Sequence, residues 1–115
     1  MNLTHKNGVA SIITKLKEQG LTRCKKEVQQ GDRRLDGQCK NKKVTVNFEV
    51  KNNLKDFKSP RSQKQIAAMT NNSNKNNQAM IVHIVSKNCI VPMNKLGKKF
   101  IQENGIRLCR IPKRI

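Results

Sequence analysis

The stretch that most constrains this chain is Val44-Thr45-Val46-Asn47-Phe48-Glu49-Val50-Lys51. Val44, Val46, Phe48 and Val50 alternate with four polar residues, the period of a β-strand whose successive side chains leave opposite faces. One face is then apolar and predicts packing on a core. The other carries Glu49 and Lys51 side by side, two residues apart. A slip of one residue would bury the charged pair and expose the valines, so burial sets the register. A carboxylate and an ammonium projecting together beside a core can hold a metal ion and a water. The remaining segments bear on that possibility.

Upstream, residues 1–7 read as a loose polar lead-in. Val9, Ile12, Ile13 and Leu16 then recur with the one-face spacing of a helix, and Gly20 stops it. Leu21 to Gln29 predicts a strand with Cys24 and Val28 on one face. Gln30-Gly31-Asp32 is a turn. Residues 33–51 read as an antiparallel hairpin turning at 40–43, with Leu35 facing the core, Asp36 on the first arm and Glu49 on the second. Asn52 to Lys58 reads as a loop. Ser59-Pro60 opens a helix over about 60–70, with Ser as N-cap and Pro in the first helical position. Ile66 and Met69 form its inward stripe, with Gln63 one turn earlier.

The asparagine-rich stretch 71–78 predicts a mobile loop. Ala79 to Val85 has the look of a strand buried on both faces, with His83 a core histidine rather than a ligand. After Pro92, the residues Met93, Leu96, Phe100 and Ile101 mark a third helix closed by Asn104-Gly105. Ile106 to Ile111 predicts a final strand, followed by the basic tail Pro112-Lys113-Arg114. The order is helix, three strands, helix, strand, helix, strand: a single α/β (α+β) domain over 1–115.

A net charge of +18 in 115 residues is the largest compositional signal. It favours a polyanionic partner, since basic side chains on a nucleic-acid backbone release counterions and steer association. Three Phe and no Trp or Tyr argue against aromatic base-stacking platforms. The expected mode is backbone contact with weak sequence readout. No apolar run approaches the ~20 residues of a membrane span, and Met-Asn-Leu-Thr-His-Lys lacks the apolar core of a signal peptide. Cys24, Cys39, Cys89 and Cys109 lie far apart with no Cys-x-x-Cys pair, which argues against a structural zinc. Cys24, Cys89 and Cys109 fall in expected strands and read most simply as buried thiols, with one disulfide left open.

Carboxylates can hold a hard cation such as Mg²⁺ or Mn²⁺ while leaving positions for water and phosphate. Asp36 and Glu49 are the candidates. Lys51 could orient or deprotonate the water and neutralise developing charge, and Gln63 could hydrogen-bond the water or the phosphate. Acid-x-Lys alone is weak, since about one match arises by chance in a chain of this composition. The second match, Asp56-Phe57-Lys58, lies in a predicted loop and is set aside as accidental. The plain alternative is that Glu49 and Lys51 form a solvated ion-pair face.

Arg34-Leu35-Asp36, Phe48-Glu49-Val50-Lys51-Asn52 and Ser59-Pro60-x-x-Gln63-Lys64 together resemble the PD-(D/E)xK nuclease superfamily. Its helix–three strands–helix–strand core, the restriction-endonuclease-like core, is similar to residues 9–85. The extra C-terminal helix and strand over about 92–111 resemble the small toxin nuclease domains of contact-dependent growth-inhibition and other polymorphic toxins. The resemblance implies a Mg²⁺- or Mn²⁺-dependent endonuclease. Asp36 and Glu49 would be metal ligands with the Val50 carbonyl, Lys51 the catalytic lysine and Gln63 the helix glutamine. DNA is the first substrate implied and tRNA a close second. An acidic immunity protein is an implied partner, and the cytoplasm of a target cell the place of action. Leu35 stands where the superfamily often has Pro, and the first helix offers only Glu18 as an acid. Lys25, Lys26, Arg33 and Arg34 on one side, and Lys55, Lys58, Arg61 and Lys64 on the other, are candidate phosphate contacts. The alternatives are a Holliday-junction resolvase or replication-repair nuclease and a non-catalytic nucleic-acid-binding module.

Overall fold

The computed structural model describes residues 3–110. It is an α+β fold around a mixed five-stranded sheet. In chain order the elements are α1 (Leu3–Glu18), β1 (Arg23–Gln30), β2 (Arg33–Lys40), β3 (Thr45–Lys51), α2 (Leu54–Lys58) and α3 (Pro60–Lys75). Then come β4 (Ala79–Ile84), a single 3-10 turn (Val85–Lys87), β5 (Cys89–Pro92) and α4 (Lys95–Glu103). The sheet order is β1-β2-β3-β4-β5, and every neighbouring pair is antiparallel except β3–β4.

The sheet is covered on both faces. Val9, Ile12 and Leu16 of α1 pack with Phe100 and Ile101 of α4 on Val46, Phe48, Val50, Ala79 and Ile81. Ile66 of α3 and Phe57 of α2 pack on Val82 and Ile84, while Met69 packs on Leu35 and Met80. β3 is therefore buried on both faces from Val46 to Val50, where its alternation predicts one solvated face. The alternation is correct, but α3 covers the polar face. Asn47 is wholly buried there and satisfied by Gln38, Ser73 and Gln78.

Several boundaries differ from the expected ones. α1 begins at Leu3 rather than near Val9, because its first turns pack through Gly8 on the end of β3 and on the 3-10 turn after β4. A Cβ built there would sit 2.5 Å from Val85 Cγ2 and 2.9 Å from Val50 Cγ1. The expected loop 52–58 contains α2, capped by Asn53, whose side-chain oxygen accepts the Asp56 N–H at 2.8 Å. α3 continues to Lys75, so most of the expected 71–78 loop is helix. Its asparagines are poor helix formers, but burial of Ser73 against Asn47 overrides propensity. The caps of α3 are as expected: Ser59 accepts the Ser62 N–H, and Pro60 opens the first turn.

Cys24 packs with the α1 side of the sheet and Val28 with Met69, not on one face as expected. Glu27 lies between them in the left-handed region (φ 53°). β5 adds a strand to the expected order. The expected 106–111 strand reduces to one parallel bridge, Ile90 to Leu108; Ile111 and the basic tail lie outside the described residues. The cysteines are not thiols. Cys24–Cys39 bridges opposed residues of β1 and β2, and Cys89–Cys109 fastens the segment after α4 to β5. No helix among the described residues is long and apolar enough to cross a membrane.

Candidate active site

β2 and β3 pair as far as Gly37 opposite Phe48. Gly37 lacks the Cβ that would collide with the Phe48 ring. Beyond that pair the ladder opens, and two acidic side chains replace its backbone bonds. The Asp36 N–H donates to Glu49 Oε1 at 2.9 Å, and the Val50 N–H donates to Asp36 Oδ2 at 2.8 Å. Each acid thus satisfies a backbone donor that strand divergence would strand, and the two carboxylates are locked beside each other.

Glu49 is only 7% exposed. Burial first, and then the neighbouring Asp36 charge, push its carboxyl up to about 8; the Asp36 N–H and the Lys51 charge oppose this but lose. A buried carboxyl next to a second acid favours the neutral form. Lys51 is half-buried and, among the described residues, makes no ion pair. The geometry therefore differs from a solvated Glu49–Lys51 pair: Glu49 is inside, bonded to the backbone, and Lys51 is uncommitted.

The lock borders a cleft of about 470 Å³. Asp36, Glu49, Val50 and Lys51 line it from the sheet; Ser59 and Ser62 line it from the start of α3. His5 closes it from α1, with Nε2 3.1 Å from Asp36 Oδ2. A carboxylate oxygen only accepts, so Nε2 carries the hydrogen in that contact. His5 is absent from the expected site, although the sequence holds a signal for it. It lies four residues before Val9 and extends the Val9, Ile12, Leu16 stripe back by one turn. Asp56, set aside as accidental, also lines the cleft.

Gln63 is not brought into this group. It is exposed, and its side-chain amide donates to the Phe57 carbonyl. Lys25, Lys26, Arg34, Lys55, Arg61 and Lys64 are exposed, Arg33 and Lys58 half-buried, and none lines the cleft. His83 is a buried core residue with Nδ1 3.3 Å from the Cys89 carbonyl; burial lowers its pKa and keeps it neutral.

Among the described residues no three His, Cys, Asp or Glu side chains are grouped so as to hold a metal ion. Magnesium, however, is commonly held by one or two carboxylates plus waters and substrate phosphates rather than by an all-protein cage. Two adjacent carboxyls, one of them kept from ionising first by burial and then by the other's charge, are a hard-oxygen donor set of that kind. Neither a family model, nor a curated protein, nor a solved structure matches the chain.

Proposed function

We propose that the protein is a metal-dependent endonuclease that hydrolyses phosphodiester bonds in nucleic acid. The observation that carries the reading is the Asp36–Glu49 lock, opened into a cleft that also holds Lys51. Two carboxylates forced together favour a divalent cation, and a chain of net charge +18 favours a polyanion. Asp36 and Glu49, with the Val50 carbonyl, would hold Mg²⁺ or Mn²⁺. Such an ion supplies Lewis-acid activation of water and neutralises charge on the phosphate. Glu49 must give up its proton for that binding. Lys51 would orient the attacking water and offset charge developing on the phosphate. The Ser62 hydroxyl, at the start of α3, offers a donor to phosphate oxygens where the helix end also favours an anion; the Ser59 hydroxyl does so only if its bond to the Asp56 carbonyl is exchanged. Gln63 reaches the water or phosphate only if its bond to Phe57 is exchanged.

Within this class we favour a toxin nuclease domain over a Holliday-junction resolvase. Two disulfides in a chain this small suit passage through an oxidising compartment. DNA is the first substrate to test and tRNA the second. An acidic immunity protein would complement the net charge of +18. The test is cleavage of plasmid DNA and of total tRNA with Mg²⁺, Mn²⁺ or EDTA, comparing wild type with Glu49→Gln and Lys51→Ala. Metal-dependent cutting of one substrate, abolished by both substitutions in folded protein, supports the reading. No cutting, or cutting that survives both substitutions, sinks it and leaves a nucleic-acid-binding module.

A further inference from the structure

A second cleft, of about 420 Å³, lies at the edge of the sheet between the 3-10 turn and the segment after α4. Lys87, Arg107 and Arg110 line it, together with Leu108 and the Cys89–Cys109 disulfide. No acidic side chain lines it, and among the described residues none of the three cations makes an ion pair. Three like charges brought together without a counter-charge repel one another, an arrangement that an anion relieves.

The cleft is built rather than incidental. The Ile90 N–H donates to the Arg107 carbonyl at 3.0 Å and the Cys109 N–H to the Ile90 carbonyl at 2.9 Å. The Cys89–Cys109 bridge fastens the same segment to β5. It is also placed to continue the candidate active site. β3 and β4 run parallel with Lys51 opposite Ile84, so Lys51-Asn52 and Val85–Lys87 leave the sheet at the same end. The Ser86 N–H donates to the Asn52 carbonyl at 2.9 Å, and Asn52 lines the active-site cleft. Lys87 is the next residue. Leu108, 53% exposed, offers an apolar surface beside the charges, as a sugar or base edge would use.

We propose that Lys87, Arg107 and Arg110 form a phosphate-binding site for the nucleic-acid strand where it passes out of the active-site cleft. The proposal rests on the nuclease reading for its geometry but is tested by binding alone. Anisotropy of a labelled single-stranded DNA and of a labelled tRNA is followed in EDTA over a series of salt concentrations. Arg107→Ala/Arg110→Ala removes two phosphate contacts. It should lower the slope of log affinity against log salt by about 1.4 on a single strand or about 1.8 on a duplex region. Arg107→Lys/Arg110→Lys should restore most of it. Lys42→Ala/Lys43→Ala makes the same change in charge at the opposite end of β3, and should leave the slope within about half a unit of wild type.

Equal effects of the two alanine pairs, or no effect of either, would overturn the site and leave only general basicity. Displacement of the oligonucleotide by millimolar inorganic phosphate at constant ionic strength, lost in Arg107→Ala/Arg110→Ala, would overturn it in favour of a free-anion site. Cleavage is not read here. Absence of nuclease activity would therefore sink the proposed function while the slopes stood, and equal slopes would sink this site while activity stood.

Discussion

Glu49→Gln should make the protein more stable and inactive at once. Folding raises the Glu49 carboxyl from 4.5 to about 8. A carboxyl whose folded pKa is raised contributes its full stability below the unfolded value, where it is protonated in both states. That contribution is lost as pH rises from 4.5 to about 8, because the unfolded chain ionises while the folded one must keep the proton. At 1.36 kcal/mol per pKa unit the loss is on the order of 5 kcal/mol by pH 8. Glutamine keeps an oxygen to accept the Asp36 N–H and carries no charge at any pH. Urea denaturation in EDTA, followed by circular dichroism, should show the two proteins close together at pH 4.5. At pH 8, Glu49→Gln should be more stable by several kcal/mol. Mn²⁺ should raise the stability of wild type at pH 8 and leave the variant unmoved. A variant no more stable than wild type at pH 8, or a difference that does not change with pH, would refute the burial-and-repulsion account of this site.

Other perturbations separate the parts of the site. His5→Ala should weaken Mn²⁺ affinity about 10- to 100-fold by removing one of the two donors that hold Asp36 Oδ2, the other being the Val50 N–H, and His5→Gln, which can donate the same bond, should recover most of it; titration calorimetry reads both. Gly8→Ala places a Cβ 2.5 Å from Val85 Cγ2, should cost about 1–3 kcal/mol, and should shift α1 enough to lower Mn²⁺ affinity as well. Asn47→Ala leaves Gln38, Ser73 and Gln78 without their shared partner and should cost roughly 2–4 kcal/mol in denaturation. Cys24→Ser/Cys39→Ser opens a bridge spanning 15 residues and should cost about 3 kcal/mol with Mn²⁺ affinity unchanged, since neither cysteine lines the cleft.

By itself the sequence determined the parts whose cause is local. The strand period places Val46, Phe48 and Val50 against the α1 side of the core and turns Glu49 the other way. Ser59-Pro60 starts α3 where a cap and a fixed φ require it, and the apolar run 79–84 becomes a strand buried on both faces. Asp36 and Glu49 could be paired on paper because a short hairpin admits few registers. What only the tertiary structure decided depends on partners far along the chain. His5 enters the site because Gly8 lets α1 lie close to Val50 and Val85, a contact that no local pattern encodes. Residues 71–75 are helical because Ser73 meets a buried Asn47, which outweighs their weak propensity. The cysteine pairs follow from β1–β2 register and from the return of the chain along β5. Gln63 is turned away because the carbonyl of Phe57, at the end of α2, lies within its reach. Periodicity and capping act over one or two turns, whereas a site is assembled by packing between elements, and packing is settled only when every face has found its cover.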